Sequence, residues 1–399
     1  MPDLDAAAFY STPGPTLARL RSEAPVYFHE PWNAWVLTRY ADVSAIIRDS
    51  SFSVDRGGAI GRSPHAEVRE ALEAANRFFG LWMVFSDPPR HTRLRQRVAA
   101  AFTPARIREW TSGIDAILSD CLARLATGEH TFDVVSAVAE PLPARMTSFL
   151  LGLPQGAEST LHRFTDDFFA LFGAASASPE IVLDAHRAIA SCRAFFEDVL
   201  RQRNEAPGDD LLSAIVAAER DEPTLEQDEL LGVAMTLVAG AYGTTTHLIA
   251  HAILALLEER THYEALTADP SLAPGVVEET FRYDGPALSV VRRATRDVVV
   301  ADATLRAGDR VYCMLHAANH DPEVFEAPER FDPRRSPNRH LGLGAGPHFC
   351  LGASLTRLEA TRALVALAKA FPCLALAESP IERVGNLSMR GLARLDVLY

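Results

Sequence analysis

Lysine, paired cysteines and long hydrophobic runs are scarce in this 399-residue sequence. Of its 39 basic residues only Lys369 is a lysine, a bias that we attribute to GC-rich coding and that predicts a bacterial source. The five cysteines are widely spaced and none lies in a CxxC motif; they are Cys121, Cys192, Cys313, Cys350 and Cys373. This pattern argues against both a disulfide framework and a structural zinc site.

Positive net charge and membrane-length segments are also missing. The net charge is −13, whereas a protein that binds nucleic acid needs a basic face. The longest apolar stretch, Leu231–Ala241, is about half the length of a membrane span. The N-terminus, MPDLDAAAFY, lacks the basic and apolar regions of a signal peptide. We therefore expect a cytoplasmic protein that contacts neither nucleic acid nor a membrane.

Helical periodicity extends along most of the sequence. Apolar residues recur at spacings of three and four in the segments 105–126, 143–151, 159–172 and 181–204. Short β-rich segments occur near the N-terminus, at 26–29 and 35–38, and again late in the chain, at 287–291, 298–300, 310–314 and 395–399. No repeat, low-complexity tract or linker interrupts them. The pattern predicts one domain over residues 1–399, mainly α with small β-sheets.

The longest predicted helix runs from about residue 223 to about residue 260, and Thr224 and Gln227 form a capping box at its start. Its length is roughly 50 Å, the width of a domain of this size. Gly240, Gly243 and three consecutive threonines weaken its centre, because all of them are poor helix formers. Close helix packing or an approaching ligand would explain the glycines, and the break in an otherwise strong helix favours the ligand.

The strongest chemical signal surrounds Cys350, in HLGLGAGPHFCLGASLTRLEA at 340–360. Glycines at positions 342, 344 and 346 precede the cysteine, and an amphipathic helix follows it. The dipole and free N–H groups of a helix N-terminus stabilise a thiolate, and the glycines let the backbone approach a large, flat ligand. A lone buried cysteine is normally inert packing. Here the loop and the helix start together favour an accessible, ionised sulfur.

At these residues the sequence resembles the cytochrome P450 family, whose cysteine loop is usually F-G-x-G-x-x-x-C-x-G. The matching residues run from Leu343 to Gly352, and Leu343 stands where the family usually has phenylalanine. The resemblance covers residues 20 to 399 approximately. It implies the cytochrome P450 fold, with a long central helix over the haem and a glycine-rich cysteine loop. It also implies haem b as cofactor, with its iron bound by the axial thiolate of Cys350.

A second match concerns the family's buried ion triad. Glu279 and Arg282 fit its E-x-x-R motif and can pair on one face of a helix. Arg330, in FEAPERFDP, fits the third member. The implied role is structural, because a buried charge network has to be fully bonded.

A third match concerns the haem propionates. His91 and Arg95 fit the family's H-x-x-x-R segment, Arg292 fits a further propionate-binding arginine, and His348 fills a fourth position. Two carboxylates in a partly buried site need charge-assisted donors. Any one of these residues could be an ordinary solvated basic residue, but four in register with the cysteine loop favour haem anchoring.

The central helix departs from the family pattern. The family places a carboxylate directly before a threonine that hydrogen-bonds dioxygen; here Thr244 takes the threonine position and Gly243 the acid position. A shift by one residue puts Tyr242 at the acid position and restores no carboxylate. Water or substrate could carry the proton, His247 could replace the acid, or the chemistry could differ from hydroxylation. A satisfied core histidine is the simpler interpretation of His247.

By the same resemblance, apolar residues from several segments line the substrate pocket. They are Phe79, Leu81, Trp82, Met83, Val84, Phe169, Leu171, Leu288, Val290 and Met389. Ordinary core packing would give a similar set. The implied activity is that of a haem-thiolate monooxygenase, which inserts one oxygen atom from O2 into a hydrophobic small molecule. Gly243 raises the alternative of a peroxide-dependent or non-hydroxylating haem-thiolate enzyme, and a non-catalytic haem-binding sensor is a further one.

Electron supply is expected from outside, because the sequence shows no flavin or nicotinamide domain. The resemblance implies a ferredoxin and a ferredoxin reductase as partners of a monomeric enzyme. Six arginines would suit docking of an acidic ferredoxin: Arg93, Arg97, Arg334, Arg335, Arg339 and Arg357. An ordinary solvated surface explains these arginines equally well.

Overall fold

The structure is a computed structural model that describes residues 4, 7–55, 65–100, 102–125, 130–173, 177–221 and 224–399. Helices dominate, because the three- and four-residue apolar spacing gives each long segment one face to bury. The α-helices of the described residues are α1 (Ala7–Ser11), α2 (Pro13–Glu23), α3 (Tyr40–Ile46), α4 (Ala66–Phe79), α5 (Arg90–Ala99), α6 (Pro104–Glu109), α7 (Thr111–Leu125), α8 (Pro141–Leu150), α9 (Glu158–Phe172), α10 (Pro179–Glu205), α11 (Leu211–Asp221), α12 (Gln227–Glu258), α13 (Arg260–Ala268), α14 (Ala273–Tyr283), α15 (Leu315–Asn319) and α16 (Ala353–Ala370).

The strands are short and form small sheets. They are β1 (Val26–His29), β2 (Ala34–Leu37), β3 (Phe52–Ser53), β4 (Thr131–Asp133), β5 (Ser289–Ala294), β6 (Val298–Val300), β7 (Ala303–Leu305), β8 (Arg310–Met314), β9 (Ala375–Leu376), β10 (Glu382–Gly385), β11 (Arg390–Arg394) and β12 (Asp396–Leu398). The largest sheet has the order β1-β2-β8-β5-β3, with β2 and β8 parallel. The others are β4-β12-β9 and the hairpins β6-β7 and β10-β11. The prediction of a mainly α protein with small β-sheets is confirmed.

The chain divides into two compact units. The first comprises Met1–Phe52, Ile114–Leu142 and Thr244–Tyr399, and it contains the Cys350 loop. The second comprises Ser53–Gly113 and Pro143–Gly243. That the whole chain is one cytochrome P450 domain therefore stays a prediction from the sequence.

Helix α12 is the long helix that the sequence predicts, but it begins later than expected. It starts at Gln227 and continues for 32 residues, through both weakening glycines. Thr224 does not cap it, because its hydroxyl and its N–H both donate to the Glu219 carboxylate, at 2.9 and 2.7 Å. The Glu229 carboxylate instead accepts the N–H of Glu226 at 3.1 Å. Residue 223 lies outside the described part of the chain.

Candidate functional site: the cysteine loop and helix α12

Cys350 lies at the end of a tight loop that leads into α16. Its N–H donates to the Leu343 carbonyl at 2.9 Å, and the N–H of Gly344 donates to the Leu341 carbonyl at 2.8 Å. Gly344 and Gly346 both have a φ of 69°, a left-handed conformation that favours glycine. The loop therefore doubles back and holds the half-buried Cys350 just before the first turn of α16. A thiolate at this place is stabilised by the positive end of the helix dipole.

The environment of Cys350 differs from that of the other cysteines. Burial raises the pKa of the Cys192 and Cys313 thiols, that of Cys313 to about 12, and so keeps them protonated. Cys121 is buried as well, and Cys373 is exposed. Cys350 alone combines half-burial with the N-terminus of a long helix, among these five residues that the structure describes. This is the environment in which a thiolate can serve as a metal ligand.

A charged cluster that the sequence reasoning missed lies close to the cysteine. Arg357, one turn into α16, donates from Nε to Glu278 at 2.6 Å, and His340 Nε2 lies 3.1 Å from the same carboxylate. Burial alone would raise the pKa of Glu278, but these two partners lower it to about 2. The hydrogen bond to Glu278 raises the pKa of Arg357, and the negative charge of Cys350 adds to that effect. Arg357 thus supplies a positive charge close to the thiolate.

The predicted ion triad is formed, but its second arginine is Arg335 and not Arg330. Glu279 and Arg282 are fully buried and share two hydrogen bonds, at 2.8 and 2.9 Å. Arg335 Nε lies 3.1 Å from the Glu279 carboxylate. Arg330 takes part only through its backbone carbonyl, which accepts from Arg282 at 2.9 Å. The FEAPERFDP motif identifies the right segment of the chain. The turn that follows residue 330, however, brings Arg335 and not Arg330 to the Glu279 carboxylate.

The four predicted haem anchors are divided between the units. His91 and Arg95 lie one turn apart on α5 in the second unit. Burial lowers the pKa of His91, and the charge of Arg95 lowers it further. Arg292 on β5 is buried, and His348 is half-buried in a 3₁₀ turn just before Cys350; both belong to the first unit. All four side chains can donate hydrogen bonds to carboxylates, and their joint role stays a prediction.

Thr244 and His247 lie three residues apart on α12, so they share one face of this helix, and both belong to the first unit. Thr244 is half-buried and the preceding Gly243 is buried. Burial lowers the pKa of His247 to about 3, and His251 adds to the effect. Nδ1 of His247 has no hydrogen-bond partner among the residues that the structure describes. Its two interpretations, a core histidine and a replacement for the missing acid, therefore both stay predictions.

The predicted pocket residues form one apolar set in each unit. In the first unit, Leu288 donates its N–H to the Ser388 carbonyl at 3.1 Å, and residue 287 pairs with Met389, so Leu288, Val290 and Met389 lie on neighbouring segments. In the second unit, Trp82 stacks on Phe168 with ring centroids 5.0 Å apart. Phe79 meets both of these rings edge-on. Of the remaining members, Met83 and Leu171 are buried, Leu81 and Phe169 are half-buried, and Val84 is exposed.

Most of the arginines predicted to dock a ferredoxin are engaged in ion pairs. The pairs are Arg93–Glu229 (2.7 Å), Arg97–Glu219 (2.9 Å), Arg335–Glu279 (3.1 Å) and Arg357–Glu278 (2.6 Å). Arg334 and Arg339 are exposed. Because carboxylates of the same chain balance most of this charge, the arginines give the ferredoxin prediction little support.

Comparison with known proteins identifies the family of this chain. The family described as Cytochrome P450 matches residues 59–392. The chain belongs to the cytochrome P450 family. Haem b, with its iron bound by a cysteine thiolate, is therefore the cofactor, and the protein is an enzyme of the cytochrome P450 monooxygenase class.

Three relatives illustrate how closely this cytochrome P450 follows the family. Cytochrome P450 monooxygenase PikC of Streptomyces venezuelae is 37% identical over 410 residues, which cover 100% of this chain and 94% of the relative. The vitamin D(3) 25-hydroxylase of Pseudonocardia autotrophica is 34% identical and covers 99% and 96%. The structure of a Bacillus megaterium cytochrome P450 in complex with testosterone superposes with a TM-score of 0.89 at 27% identity, and covers 99% of each chain.

The helices of this cytochrome P450 were compared with the length and hydropathy that a membrane span needs. None of the helices in the described ranges is long and apolar enough to span a bilayer.

Proposed function

We propose that this cytochrome P450 inserts one oxygen atom from O2 into a hydrophobic small molecule, with electrons from a separate ferredoxin and ferredoxin reductase. The observation that carries the proposal is the Cys350 loop, in which the chain's half-buried cysteine stands before α16. Haem b supplies the oxygen-activating and redox chemistry when it is bound. Cys350 would hold its iron, and the thiolate would supply the electron density that the oxygen chemistry of haem b needs.

The side chains of this protein that could bind the iron and the propionates fit haem b. Cys350 is the proposed iron ligand, and its thiolate is stabilised by the α16 dipole and by the nearby charge of Arg357. His91 and Arg95, with Arg292 and His348, are the proposed donors to the propionates, for which charge-assisted hydrogen bonds are the strongest choice.

Thr244 is the proposed oxygen-side residue. Its hydroxyl can both donate and accept a hydrogen bond, so it can hold a water molecule and pass on a proton. Gly243 offers no carboxylate beside it. Proton supply must therefore come from another group or from water.

The proposed substrate is apolar. Leu288, Val290 and Met389 of the first unit, with Phe169 and Leu171 of the second, carry no charge and offer hydrogen-bonding groups only on the backbone. An apolar lining favours binding by removal of hydrocarbon surface from water, at ~25 cal/mol per Å². Two relatives are named for their substrates, vitamin D(3) for one and epothilones C and D for the other.

The first prediction tests the substrate class and the reaction together. The ferric holoenzyme is titrated with testosterone, vitamin D(3), epothilone D and myristic acid, and with glucose as a polar control. We expect the apolar probes, but not glucose, to shift the spin state of the bound haem. The probe with the largest shift is then incubated with NADPH, spinach ferredoxin and its reductase under isotopically labelled O2.

The expected product contains one labelled oxygen atom. Failure of every apolar probe to shift the spin state would contradict the proposed substrate class. Product formation from hydrogen peroxide, but not from O2 and NADPH, would instead support the peroxide-dependent alternative.

A further inference from the structure

The hairpin of β10 and β11 ends in a turn that carries two buried apolar side chains, Leu387 and Met389. The side-chain oxygen of Asn386 accepts the N–H groups of Ser388 and Met389, each at 2.9 Å. The N–H of Asn386 donates to the Met389 carbonyl at 2.8 Å. Asn386 therefore defines the shape of this turn.

The turn pairs with the segment 286–290, which contains further residues of the proposed substrate lining. The N–H of Leu288 donates to the Ser388 carbonyl at 3.1 Å, and the N–H of Arg390 donates to the Pro286 carbonyl at 2.8 Å. The hairpin and this segment together carry the apolar set of the first unit. A displacement of the hairpin would therefore change the shape of that apolar surface.

One carboxylate, that of Asp284, binds an arginine from each strand of the hairpin. Arg383 of β10 donates to one of its oxygens at 3.2 Å, and Arg390 of β11 donates to the other. Asp284 and Arg390 are buried, and Arg383 is half-buried. Burial alone would raise the pKa of Asp284, but His251 and the two arginines hold it well below its usual range. The carboxylate is therefore charged at neutral pH.

The backbone of Asp284 is fixed independently of the hairpin. Its N–H donates to the Thr280 carbonyl at 3.0 Å, at the end of α14. Its carbonyl lies 2.6 Å from Nδ1 of the buried His251 on α12, and this nitrogen carries the hydrogen because a carbonyl only accepts. All of these residues belong to the first unit. Asp284 thus ties the hairpin to the two helices α12 and α14.

Arg390 depends on this carboxylate. Its Nε is buried without a hydrogen-bond partner among the described residues, and Asp284 is the acidic residue with which it pairs there. A buried cation that loses its carboxylate is strongly unfavourable, so the side chain would move toward water or draw water in. Arg390 directly follows Met389, so such a movement would displace the turn.

We propose that Asp284 is a positioning residue that fixes the turn of the β10–β11 hairpin against the substrate and so selects among apolar molecules by their shape. The proposal rests on the proposed monooxygenase function with an apolar substrate. Asp284 acts through Arg383 and Arg390 and does not itself touch the substrate. Its loss changes the preference between apolar molecules of different shape, because it moves one wall of the apolar surface.

The test uses variants of the holoenzyme that remove one charge of this network. Asp284→Asn does so at the buried centre, and Arg383→Gln does so at the half-buried edge, where a substitution is better tolerated. Arg383→Lys keeps the charge and is the conservative variant. Asp115→Asn is the matched control, since Asp115 binds Arg362 at 2.7 Å in the same unit but lies on α7. Haem content and the free energy of unfolding are measured for every protein.

The first readout is amide hydrogen exchange of residues 386–392, followed by mass spectrometry, which requires no turnover. We expect Asp284→Asn and Arg383→Gln to speed this exchange at least ~10-fold, because the hairpin loses a hydrogen bond to a charged group. Arg383→Lys and Asp115→Asn should match the wild type.

The second readout is the ratio of the dissociation constants of two apolar probes of different shape, testosterone and myristic acid. Spin-state titrations of the bound haem give both constants. We expect the two charge-removing variants to change this ratio ~10-fold, the effect of about one methylene group in an apolar pocket. Both controls should keep the wild-type ratio.

A change in only one of the two readouts would refute the positioning role; faster exchange at an unchanged ratio, for example, would mean that the ion pairs only stabilise the fold. Wild-type values of both readouts in Asp284→Asn and Arg383→Gln would refute it as well and leave the proposed monooxygenase function in place. Arg383→Gln decides the question if Asp284→Asn does not retain haem. If no apolar probe shifts the spin state of the wild type, the proposed substrate class fails, and the positioning role fails with it.

Discussion

At the scale of single residues, the hydrogen-bonding capacity of Arg282 is fully used. Its five N–H donors meet five acceptors: both oxygens of Glu279 and the carbonyls of Asn319, Pro328 and Arg330. A buried ion pair is tolerated only when its remaining groups are bonded in this way. Glu279 needs further donors, which come from Arg335, Asn338 and the N–H of Asp332.

The second prediction separates Arg335 from Arg330. Arg335→Ala should lower the free energy of unfolding by about 2–3 kcal/mol, because it removes hydrogen bonds from a buried carboxylate. Arg330→Ala should change it by less than about 0.5 kcal/mol, because the Arg330 side chain is exposed and its carbonyl remains. Chemical denaturation of the two holoproteins measures both values. Equal losses for both variants, or a larger loss for Arg330→Ala, would contradict the observed network.

These residues show where sequence reasoning works. The pairing of Glu279 with Arg282 follows from positions three apart on one helix and needs no tertiary information. Arg335 lies 56 residues beyond Glu279, in an irregular segment whose path no periodicity encodes. The Glu278 cluster was missed for the same reason, since its partners His340 and Arg357 come from two other segments.

At the scale of elements, ion pairs stabilise the first turn of α12. The Glu229 side chain, in the first turn, is 5% exposed and pairs with Arg90 at 2.9 Å and Arg93 at 2.7 Å, all in the second unit. The hydrogen bond from Arg93 is the main cause that lowers the pKa of Glu229 to about 2. A negative charge in a first turn also suits the helix dipole.

The third prediction follows from this lowered pKa. A carboxylate whose pKa falls on folding adds stability above its unfolded pKa, and that stability is lost as the pH falls toward the folded pKa. Glu229→Gln should therefore lower the free energy of unfolding by about 1.5–3 kcal/mol at neutral pH. The difference from wild type should shrink as the pH falls below about 4.5.

Denaturation curves at a series of pH values measure this difference. The matched control is Glu264→Gln, which breaks the exposed pair of Arg260 and Glu264 on α13 and should cost less than ~1 kcal/mol at every pH. A difference for Glu229→Gln that stays constant down to about pH 3 would contradict the assignment of the ion pair.

The elements themselves were predicted with uneven success. The hairpin of β1 and β2, the strands β6 and β8 and the long helix α12 agree with the sequence within a few residues, because each has a clear apolar period or turn signal. The segment 105–126 was expected to be one helix, but its described residues form α6 and α7. The predicted capping box at the start of α12 is not formed, because the Thr224 hydroxyl donates to Glu219 instead.

At the scale of the whole molecule, the proposed function depends on one cysteine among five. The glycine-rich loop and the helix that follows it predict Cys350 as the thiolate ligand. In the structure, Cys350 is half-buried. The family match establishes a haem-thiolate enzyme, and the choice of Cys350 as the ligand is the central claim. The sequence predicts only the class of the substrate and of the electron donor and not their identity, because apolar packing and surface arginines serve many purposes.

The most direct measurement of that claim is the absorption spectrum of the reduced, carbon monoxide-bound protein. We predict that the wild type and the exposed-cysteine control Cys373→Ser show the Soret band that gives the family its name. Cys350→Ala should lose this band, with either weak haem binding or a band at clearly shorter wavelength. A family-type band that persists in Cys350→Ala, or that is absent from the haem-loaded wild type, would contradict the account.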